Sequence, residues 1–324
     1  MAIPDITYLH RNAADVLRRA RHVLLVSHPK PDGDTLGAAT AMYNWCKRVG
    51  IPASGFCIDV VPSQYAYMPG SEDFTNDKTA FMSGRHDVIA VFDAGDLRFA
   101  GISEMVAALS PRPTILNFDH HNTNERFGDI NIVDITASST AEVVYDFLHT
   151  AGADIDRDIA TCLLTGILTD TGTFSNPATT WTSLEAASDL VRHGAKMQEV
   201  AGKLIRNKSL TSLRLWGKVL GRLKHHERLG VSSTAIFAHE IAEEGIDEEH
   251  VEGISNFLNQ FLDTKVVLVL KELPDGKVKG SFRTAEDIDV SLPAKMLGGG
   301  GHKKAAGFTV PGKIVEMADG WRVG

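Results

Sequence analysis

The 324-residue sequence predicts an α/β fold, in which a mostly parallel sheet flanked by helices is followed by a smaller α/β C-terminal domain. A chain of this length usually forms about two domains. In the first half of the chain, short apolar runs alternate with helix-length stretches, which favours a parallel sheet covered by helices on both faces. In such sheets, ligands bind at the carboxyl ends of the strands.

Apolar runs in the first half of the chain predict the strands of this sheet. These runs are His22–Ser27, Ala53–Ile58, Asp87–Phe92 and Thr114–Phe118. Apolar residues at helical spacing predict the helices that follow. These helices are Thr35–Arg48, Ser139–His149, Arg157–Leu168 and Thr182–Arg192.

A different pattern begins near residue 195 and predicts a second domain. The stretch Ser209–His226 predicts a helix, whose core-facing residues would be Leu213, Trp216, Leu220 and Leu223. The elements predicted after it are a strand at Ser232–Ala238, a helix at Glu249–Leu262, a hairpin of Val266–Lys271 and Lys277–Thr284, and a helix at Leu292–Leu297. We therefore divide the chain into a first domain at 1–194, a helical linker at 195–228 and a second domain at 229–324.

Composition and charge exclude several classes of protein. The 33 Lys and Arg residues against 41 Asp and Glu residues leave a net charge of −8, whereas binding to long nucleic acid requires many basic residues on one face. A local basic pocket for a short phosphorylated ligand remains compatible with this charge. No apolar run reaches the ~18 residues that span a bilayer, and the N-terminal residues lack the apolar core of a signal peptide. We therefore expect a cytoplasmic protein that binds no membrane.

The segment SHPKPDGDT supplies His28, Asp32 and Asp34 directly after the first predicted strand. A lone Asp-Gly-Asp sequence is commonly a turn with a helix-capping aspartate. Two carboxylates held close together are nevertheless costly unless positive charge lies between them. A metal ion is the natural source of that charge.

Three further groups of polar residues lie at the ends of apolar elements. Asp93 and the triplet Asp119-His120-His121 follow strands, and Asp170 closes a helix at the end where its charge opposes the helix dipole. Each group alone could be a cap or a buried, hydrogen-bonded side chain. Together they supply carboxylate oxygens and imidazoles that suit two divalent ions, which can activate water for attack at phosphorus. The predicted metal-binding residues are His28, Asp32, Asp34, Asp93, His120 and Asp170.

The triplet Asp119-His120-His121 is the signature of the DHH phosphoesterase superfamily, which this sequence resembles over nearly its whole length. His28-x-x-x-Asp32-x-Asp34, Asp93 and Asp170 match the other three motifs of the superfamily in order and in approximate spacing. The segments SFRT (281–284) and GGGGHKKAAG (298–307) resemble the DHH-associated substrate-binding domain. The resemblance is greatest to small two-domain bacterial enzymes that act as oligoribonuclease (nanoRNase) and pAp phosphatase.

The resemblance implies roles for these residues. Asp93 would bridge two ions, and the usual metal of the superfamily is Mn²⁺. His121 would be catalytic and face the scissile phosphate, while Asp119 would orient a ligating histidine. The active site would lie in the cleft between the domains. The first ion would be held by His28, Asp32 and Asp93, and the second by Asp34, Asp93, His120 and Asp170.

A second group of residues predicts a phosphate clamp in the C-terminal domain. Glycines expose backbone amides that can form an anion site, and an arginine can contact a phosphate through two hydrogen bonds. A glycine run alone is more often a flexible turn, but next to a phosphoesterase core it indicates a pocket for the far phosphate of the substrate. The predicted substrate-binding residues are Arg283, Gly299, Gly300, Gly301 and His302.

These observations predict a Mn²⁺-dependent phosphoesterase that hydrolyses short single-stranded RNA, chiefly dinucleotides, to mononucleotides, and also pAp to AMP. Three alternatives stay open: a phosphodiesterase for linear (pApA-type) or cyclic dinucleotides, a pyrophosphatase or exopolyphosphatase, and a non-catalytic nucleotide sensor. The complete ligand set favours an enzyme over a sensor. A homodimer is compatible with the sequence.

Overall fold

The computed structural model describes residues 5–206, 209–245, 253–317 and 320–324, without the side chains of Glu244 and His302. The chain divides into two compact units, which meet in the sequence between Asn207 and Lys208. This division lies within the segment 195–228 that the sequence predicts as a linker.

A six-stranded parallel sheet forms the centre of the first unit. Its strands are β1 (Val23–Ser27), β2 (Ala53–Cys57), β3 (Phe74–Thr75), β4 (Val88–Phe92), β5 (Thr114–Asp119) and β6 (Ile130–Val133). They lie in the order β3-β2-β1-β4-β5-β6, and every neighbouring pair is parallel. The structure thereby confirms the predicted parallel sheet. The two edge strands, β3 and β6, were not predicted because they are too short for a recognisable apolar run.

Helices cover both faces of this sheet. They are α1 (Ile6–Arg19), α2 (Gly33–Val49), α3 (Lys78–Phe81), α4 (Ser103–Ala108), α5 (Thr140–Thr150), α6 (Arg157–Asp170), α7 (Trp181–Arg192) and α8 (Met197–Ile205). Successive residues of β1 enter opposite cores: Val23 and Leu25 pack with residues of α2, α5 and α6, whereas Leu24 packs with Phe81 on the other face. Burial on both faces explains why the strands are continuous apolar runs.

Glycines allow α2 and α6 to pack closely. A Cβ atom on Gly37 would lie 2.6 Å from the carbonyl oxygen of Cys162, and a Cβ atom on Gly33 would overlap the side chain of Thr169. Because Gly33 begins α2 and Thr169 is the residue before the last of α6, the start of one helix lies beside the end of the other.

The second unit is built on a separate six-stranded sheet, in which only the pair β8–β9 is parallel. Its strands are β7 (Lys224–His226), β8 (Val231–Ile236), β9 (Val266–Glu272), β10 (Lys277–Arg283), β11 (Gly300–His302) and β12 (Ala305–Pro311), in the order β11-β12-β10-β9-β8-β7. The remaining elements are β13 (Ile314–Glu316), β14 (Trp321–Val323), α9 (Leu210–Gly221), α10 (Ala238–Glu244), α11 (Ile254–Phe261) and α12 (Ser291–Met296). A smaller α/β second domain is thus confirmed.

The start of the second unit corrects two details of the sequence analysis. The predicted helix Ser209–His226 ends at Gly221, and Lys224–His226 form β7 because their backbone pairs with β8. Leu213, predicted to face the core, is exposed, and the neighbouring Leu215 and Val219 are buried instead. The first part of the predicted helix Glu249–Leu262 lies outside the described residues. Within the described residues, none of the helices combines the length and the apolar character needed to cross a bilayer.

Candidate metal centre

The register of the parallel sheet brings three candidate residues to the same level. Ser27 of β1 pairs with Phe92 of β4, which in turn pairs with Phe118 of β5. The residue after each of these therefore lies at the carboxyl end of the sheet, where ligands bind in such folds. These residues are His28, Asp93 and Asp119.

Helix termini position two more carboxylates. Asp32 caps α2, since its Oδ1 accepts the backbone N–H groups of Asp34 (2.9 Å) and Thr35 (3.2 Å). The buried Asp34 carboxylate accepts the backbone N–H groups of Thr140 (2.7 Å) and Ala141 (2.8 Å) at the start of α5. The N-terminus of a helix stabilises negative charge. The capping function of Asp32 occupies one carboxylate oxygen and leaves the other free for a cation.

The candidate ligands form three overlapping clusters, within each of which the ligand atoms lie no more than 4.8 Å apart. The first two clusters share no residue, and each combines one imidazole with two carboxylates. The clusters are His28, Asp32 and Asp93; Asp34, His120 and Asp170; and Asp93, His120 and His121. All six residues predicted to bind metal are therefore brought together.

The two oxygens of Asp93 face different histidines. Its Oδ2 lies 3.3 Å from Nε2 of His28, while its Oδ1 lies 3.7 Å from Nε2 of His120 and 3.5 Å from Nδ1 of His121. Oδ1 also accepts a hydrogen bond of 3.0 Å from the hydroxyl of Thr140. Asp93 holds a left-handed backbone conformation (φ 58°), which Asp tolerates better than most residues. This side chain is the geometric link between the first two clusters.

The two histidines contacted by separate oxygens of Asp93 are oriented by backbone carbonyls. His28 donates from Nδ1 to the carbonyl of Pro29 (2.8 Å), and His120 donates from Nδ1 to the carbonyl of Ala137 (3.4 Å). Both rings therefore carry the proton on Nδ1 and present Nε2 to the carboxylates, as is typical of metal-ligating histidines. Nε2 of His120 is buried and makes no hydrogen bond, although it lies 3.2 Å from Oδ2 of Asp170. A buried nitrogen without a hydrogen bond, facing carboxylates, fits a metal ion.

The electrostatics also fit a cation. Burial and the neighbouring carboxylates raise the pKa of Asp32 to about 6 and hold those of Asp34 and Asp170 above their ordinary value. Burial would lower the pKa values of the histidines, but Asp93 raises that of His28 to about 9, and Asp170 raises that of His120 to about 10. In the absence of metal, protons on these groups would supply the positive charge that the carboxylates need.

The pKa of Asp93 is lowered, in contrast to those of the other candidate carboxylates. Its burial acts to raise its pKa, but the surrounding histidines, His28 first, lower it below the ordinary value of an aspartate. The pKa of His121 is raised, mainly by its hydrogen bond to Asp119. Asp93 thus remains the most acidic carboxylate of the group.

Asp119 positions His121. The buried Asp119 accepts, through Oδ1, the backbone N–H groups of His120 (2.8 Å) and His121 (3.2 Å) and Nδ1–H of the His121 ring (2.8 Å). Its Oδ2 accepts Nδ2–H of Asn124 (2.5 Å). Asp119 was predicted to orient a ligating histidine, and the ring that it contacts is that of His121 and not that of His120.

Two supporting residues were missed by the sequence analysis. Thr140 donates to Asp93 and offers its backbone N–H to Asp34, and Asn124 supports Asp119. Asn124 lies inside the NFDHHNTN segment, so its position was a usable signal. Thr140 carried a weaker signal, because a polar residue at the start of a helix is ordinarily a cap.

The candidate clamp residues lie in the second unit. Arg283 ends β10 and donates from Nε to Asn256 (2.8 Å) and from Nη1 to the carbonyl of Phe282 (2.9 Å). The backbone register pairs Arg283 with Ala305, and Ala305 with His302, so Arg283 and His302 share one row of the sheet. The side chain of His302 is outside the described set.

Packing within the second sheet explains why glycine occupies some positions of the candidate clamp. Gly299 donates its N–H to the carbonyl of Ala294 (2.9 Å), and a Cβ atom on it would overlap the carbonyl of Gly307. Gly301 has φ 135°, and a Cβ atom there would lie 2.6 Å from the carbonyl oxygen of Ala305. Gly300 lies with Gly301 in β11, the edge strand of the sheet, and a Cβ atom on it would meet nothing within 4 Å. Close packing of β11 on β12 is therefore sufficient to explain Gly299 and Gly301.

Comparisons with known proteins find two family patterns in this chain. The pattern of the DHH family, N-terminal domain, matches residues 22–167, and that of the DHHA1 domain matches residues 233–320. The bifunctional oligoribonuclease and PAP phosphatase NrnA of Thermus thermophilus is 29% identical over 309 residues, which cover 95% of this chain and 90% of the relative. The protein of the same name from Bacillus subtilis is 26% identical over 200 residues, 60% of this chain and 62% of the relative.

A solved structure is similar as well. It is described as an exopolyphosphatase-related protein from Bacteroides fragilis, and it matches with a TM-score of 0.86 and 26% identity, covering 93% of this chain and 90% of that chain.

Proposed function

Because this chain combines a DHH domain with a DHHA1 domain, and so belongs to the DHH phosphoesterases, we propose that it is a Mn²⁺-dependent enzyme that cleaves very short RNA. Its substrates would be short single-stranded oligoribonucleotides, chiefly dinucleotides, which it would convert to mononucleotides. It would also hydrolyse pAp to AMP. Two relatives named as oligoribonuclease and PAP phosphatase support this choice of substrates.

The position of Asp93 is the observation that carries the proposal. One of its oxygens faces the cluster with His28 and the other faces His120, so a single carboxylate can join two ions. His28, Asp32 and Asp93 would hold the first ion, and Asp34, Asp93, His120 and Asp170 the second. Ions held by these residues would supply an activated water and positive charge to stabilise the charge that develops at phosphorus. The imidazole and carboxylate ligands, without thiolates, favour Mn²⁺ over Zn²⁺.

The protein's own groups would orient the substrate and the ligands. His121, held through Nδ1 by Asp119, would keep its Nε2 directed at the scissile phosphate. Pro29 and Ala137 would keep the ligating rings in a single tautomer through their carbonyls. Arg283 and the row that it shares with His302 would bind the far phosphate of the substrate, together with Gly299, Gly300 and Gly301.

A short substrate agrees with the charge of the chain. The net charge of −8 disfavours a long electrostatic track, and a single phosphate clamp would accommodate only a few nucleotides. We propose that the enzyme acts in the cytoplasm, and a homodimer is compatible with this proposal.

The deciding experiment is a turnover assay with a panel of substrates and with Mn²⁺, Mg²⁺ or Zn²⁺ added to the metal-free protein. The panel contains RNAs and DNAs of 2 to 10 nucleotides, pAp, linear and cyclic dinucleotides, pyrophosphate and polyphosphate. The proposal expects the highest kcat/KM for RNA dinucleotides with Mn²⁺. Equal or faster cleavage of the 10-mers would contradict the substrate class, and turnover of polyphosphate alone would favour the exopolyphosphatase alternative. No turnover with any metal would favour a nucleotide sensor.

A further inference from the structure

Phe99 is an exposed aromatic residue beside the candidate metal centre. The centroid of its ring lies 5.4 Å from that of His28, with the two rings inclined at 50°. The residue is nevertheless 58% exposed. Single exposed apolar side chains are common on protein surfaces. The distinguishing feature of Phe99 is its contact with a side chain that would bind the first ion.

The turn that carries Phe99 is ordered by its own hydrogen bonds. Oδ1 of Asp96 accepts hydrogen bonds from the backbone N–H groups of Arg98 (2.6 Å) and Phe99 (2.8 Å). The carbonyl oxygen of Asp96 accepts a hydrogen bond from the backbone N–H of Ala100 (3.1 Å). Ala100 and Ile102 anchor the turn in the core beneath it. A ligand that stacks on Phe99 would therefore meet a ring whose backbone is already ordered, which lowers the entropic cost of binding.

The same turn packs on the segment that follows His28. Gly101 has φ 72°, and a Cβ atom on it would lie 2.9 Å from Cγ of Pro29. The next residue, Lys30, is exposed, as is Arg98 beside Phe99. Among the contacts of the described residues, the side chains of Lys30 and Arg98 have no acidic partner. An aromatic ring and two cations thus lie on loops that adjoin one metal-binding histidine.

We propose that Phe99 is the stacking platform for the nucleobase of the nucleotide adjoining the scissile phosphate, an inference that rests on the proposed function. Stacking uses the π-face that every base has, so the subsite would require a base without selecting which one. Lys30 and Arg98 add positive charge for the flanking phosphates. Pyrophosphate and polyphosphate have no group to place on this ring, so the subsite would favour nucleotides over inorganic substrates.

The test compares two ligands that differ by the base. Titration calorimetry with the Mn²⁺-loaded protein measures the affinities for AMP and for ribose 5-phosphate. We expect the wild type to bind AMP at least about tenfold more tightly, as base stacking on an aromatic side chain predicts. Phe99→Leu keeps an apolar side chain against His28 but removes the aromatic face, so the ratio of the two affinities should fall towards one. Phe99→Trp should preserve the ratio.

Controls separate stacking from support of the metal ligand. In Phe99→Leu, the Mn²⁺ content and the affinity for ribose 5-phosphate should stay at wild-type values. Trp181→Ala removes another aromatic residue, 74% exposed and outside the metal clusters, and should change neither affinity. An unchanged ratio in Phe99→Leu overturns the inference, as does equal weakening of both ligands with loss of Mn²⁺. A wild type without preference for AMP overturns it as well.

Turnover distinguishes this inference from the function on which it rests. Normal hydrolysis of RNA dinucleotides, combined with the same ratio in wild type and Phe99→Leu, would overturn the stacking platform alone. An AMP preference that Phe99→Leu abolishes, in a protein that hydrolyses no phosphoester, would contradict the proposed activity and support the nucleobase subsite.

Discussion

The candidate metal centre of the first unit and the glycine-rich segment of the second are both predicted from sequence, but the structure supports a binding role for them to different degrees. The first brings together six side chains, several of them buried, whose placement is costly without a cation. The second contains two glycines, Gly299 and Gly301, whose lack of a Cβ atom is required by the neighbouring strand. Clustered acids and histidines have few structural uses, whereas glycine has many. The first pattern is therefore the stronger evidence of function.

Replacing Asp93 should have the largest effect, because it would remove the negative charge and one of the two oxygens with which this carboxylate would join the two ions. Asp93→Asn keeps the size of the side chain, and Asn tolerates the left-handed backbone at this position. We expect kcat/KM to fall by at least about a thousandfold, since the metal-derived stabilisation is worth several kcal/mol. Bound Mn²⁺, measured by plasma mass spectrometry, should fall below two ions per chain.

Asp154→Asn is the matched control for this change. Asp154 is an exposed residue that pairs with Arg48, and such surface pairs contribute little. Activity and metal content should both stay at wild-type values. If Asp93→Asn retained two Mn²⁺ ions and normal turnover, the bridging assignment would be wrong.

Removal of metal should affect the two units unequally. A chelator leaves the carboxylates at the end of the parallel sheet without their cations, whereas the second sheet has no such group among its described residues. At a Mn²⁺ concentration of about 100 times Kd, each site stabilises the folded state by about 2.7 kcal/mol. Hydrogen exchange should therefore accelerate in the first turn of α5, which binds Asp34, and stay unchanged in the β9–β10 hairpin. Equal acceleration in both places would contradict a metal site confined to the first unit.

Asp119→Asn tests a carboxylate that acts through another residue. Asn can still accept at one oxygen, but its NH₂ group would face the donor Nδ2–H of Asn124. We expect kcat to fall by about 10–100-fold, as is usual when a residue that orients a site side chain is changed. The Mn²⁺ content should stay at two ions, because the ring that Asp119 contacts is that of His121. A loss of metal equal to that of Asp93→Asn would instead make Asp119 essential for binding the ions.

Arg283→Gln tests the clamp in the second unit. Loss of a charge-assisted contact to phosphate should raise KM for dinucleotides by about tenfold, while kcat and the Mn²⁺ content change little. Lys279→Gln, on the same strand and outside the candidate set, is the control. An unchanged KM in Arg283→Gln would remove this residue from the substrate site.

The parallel sheet and the residues of the candidate metal centre could be predicted from the sequence because both depend on local pattern. Buried strands read as apolar runs, and their carboxyl ends converge whichever helices cover them. Asp170 was recognisable because a carboxylate at a helix C-terminus is unfavourable without another reason. Edge strands such as β6 carry no comparable signal.

Residues that act through tertiary hydrogen bonds were not predictable in the same way. Thr140 lies 47 positions from Asp93 in sequence, and its donation to that carboxylate depends on how α5 meets the sheet. Likewise, nothing local distinguishes Lys224–His226 as a strand, because its pairing with β8 is what holds it extended. The structural role of Gly301 was not predictable for a related reason, since the backbone that crowds it comes from the following strand, β12.

Substitutions of two neighbouring glycines, Gly300 and Gly301, have the smallest expected effects and test whether the glycine-rich segment is explained by packing. Gly301→Ala would place a Cβ atom 2.6 Å from the carbonyl oxygen of Ala305 at φ 135°, whereas Gly300→Ala would place one in open space. We expect Gly301→Ala to lower the free energy of unfolding of the second unit by about 1–3 kcal/mol, and Gly300→Ala to change it by less than about 0.5 kcal/mol. Denaturant unfolding measures both values.

The same two variants also distinguish a packing role of the glycine run from a role in binding phosphate. If the backbone of Gly300 contacts phosphate, Gly300→Ala should raise KM for dinucleotides without a loss of stability. Unchanged KM in Gly300→Ala, with destabilisation in Gly301→Ala, would assign the glycine run to strand packing alone. Equal destabilisation by both substitutions would contradict the described packing of β11 on β12. If the glycine run serves strand packing alone, Arg283 would be the remaining candidate for the substrate clamp. The Arg283→Gln and Gly300→Ala variants together therefore decide whether the second unit binds phosphate through side chains or through its backbone.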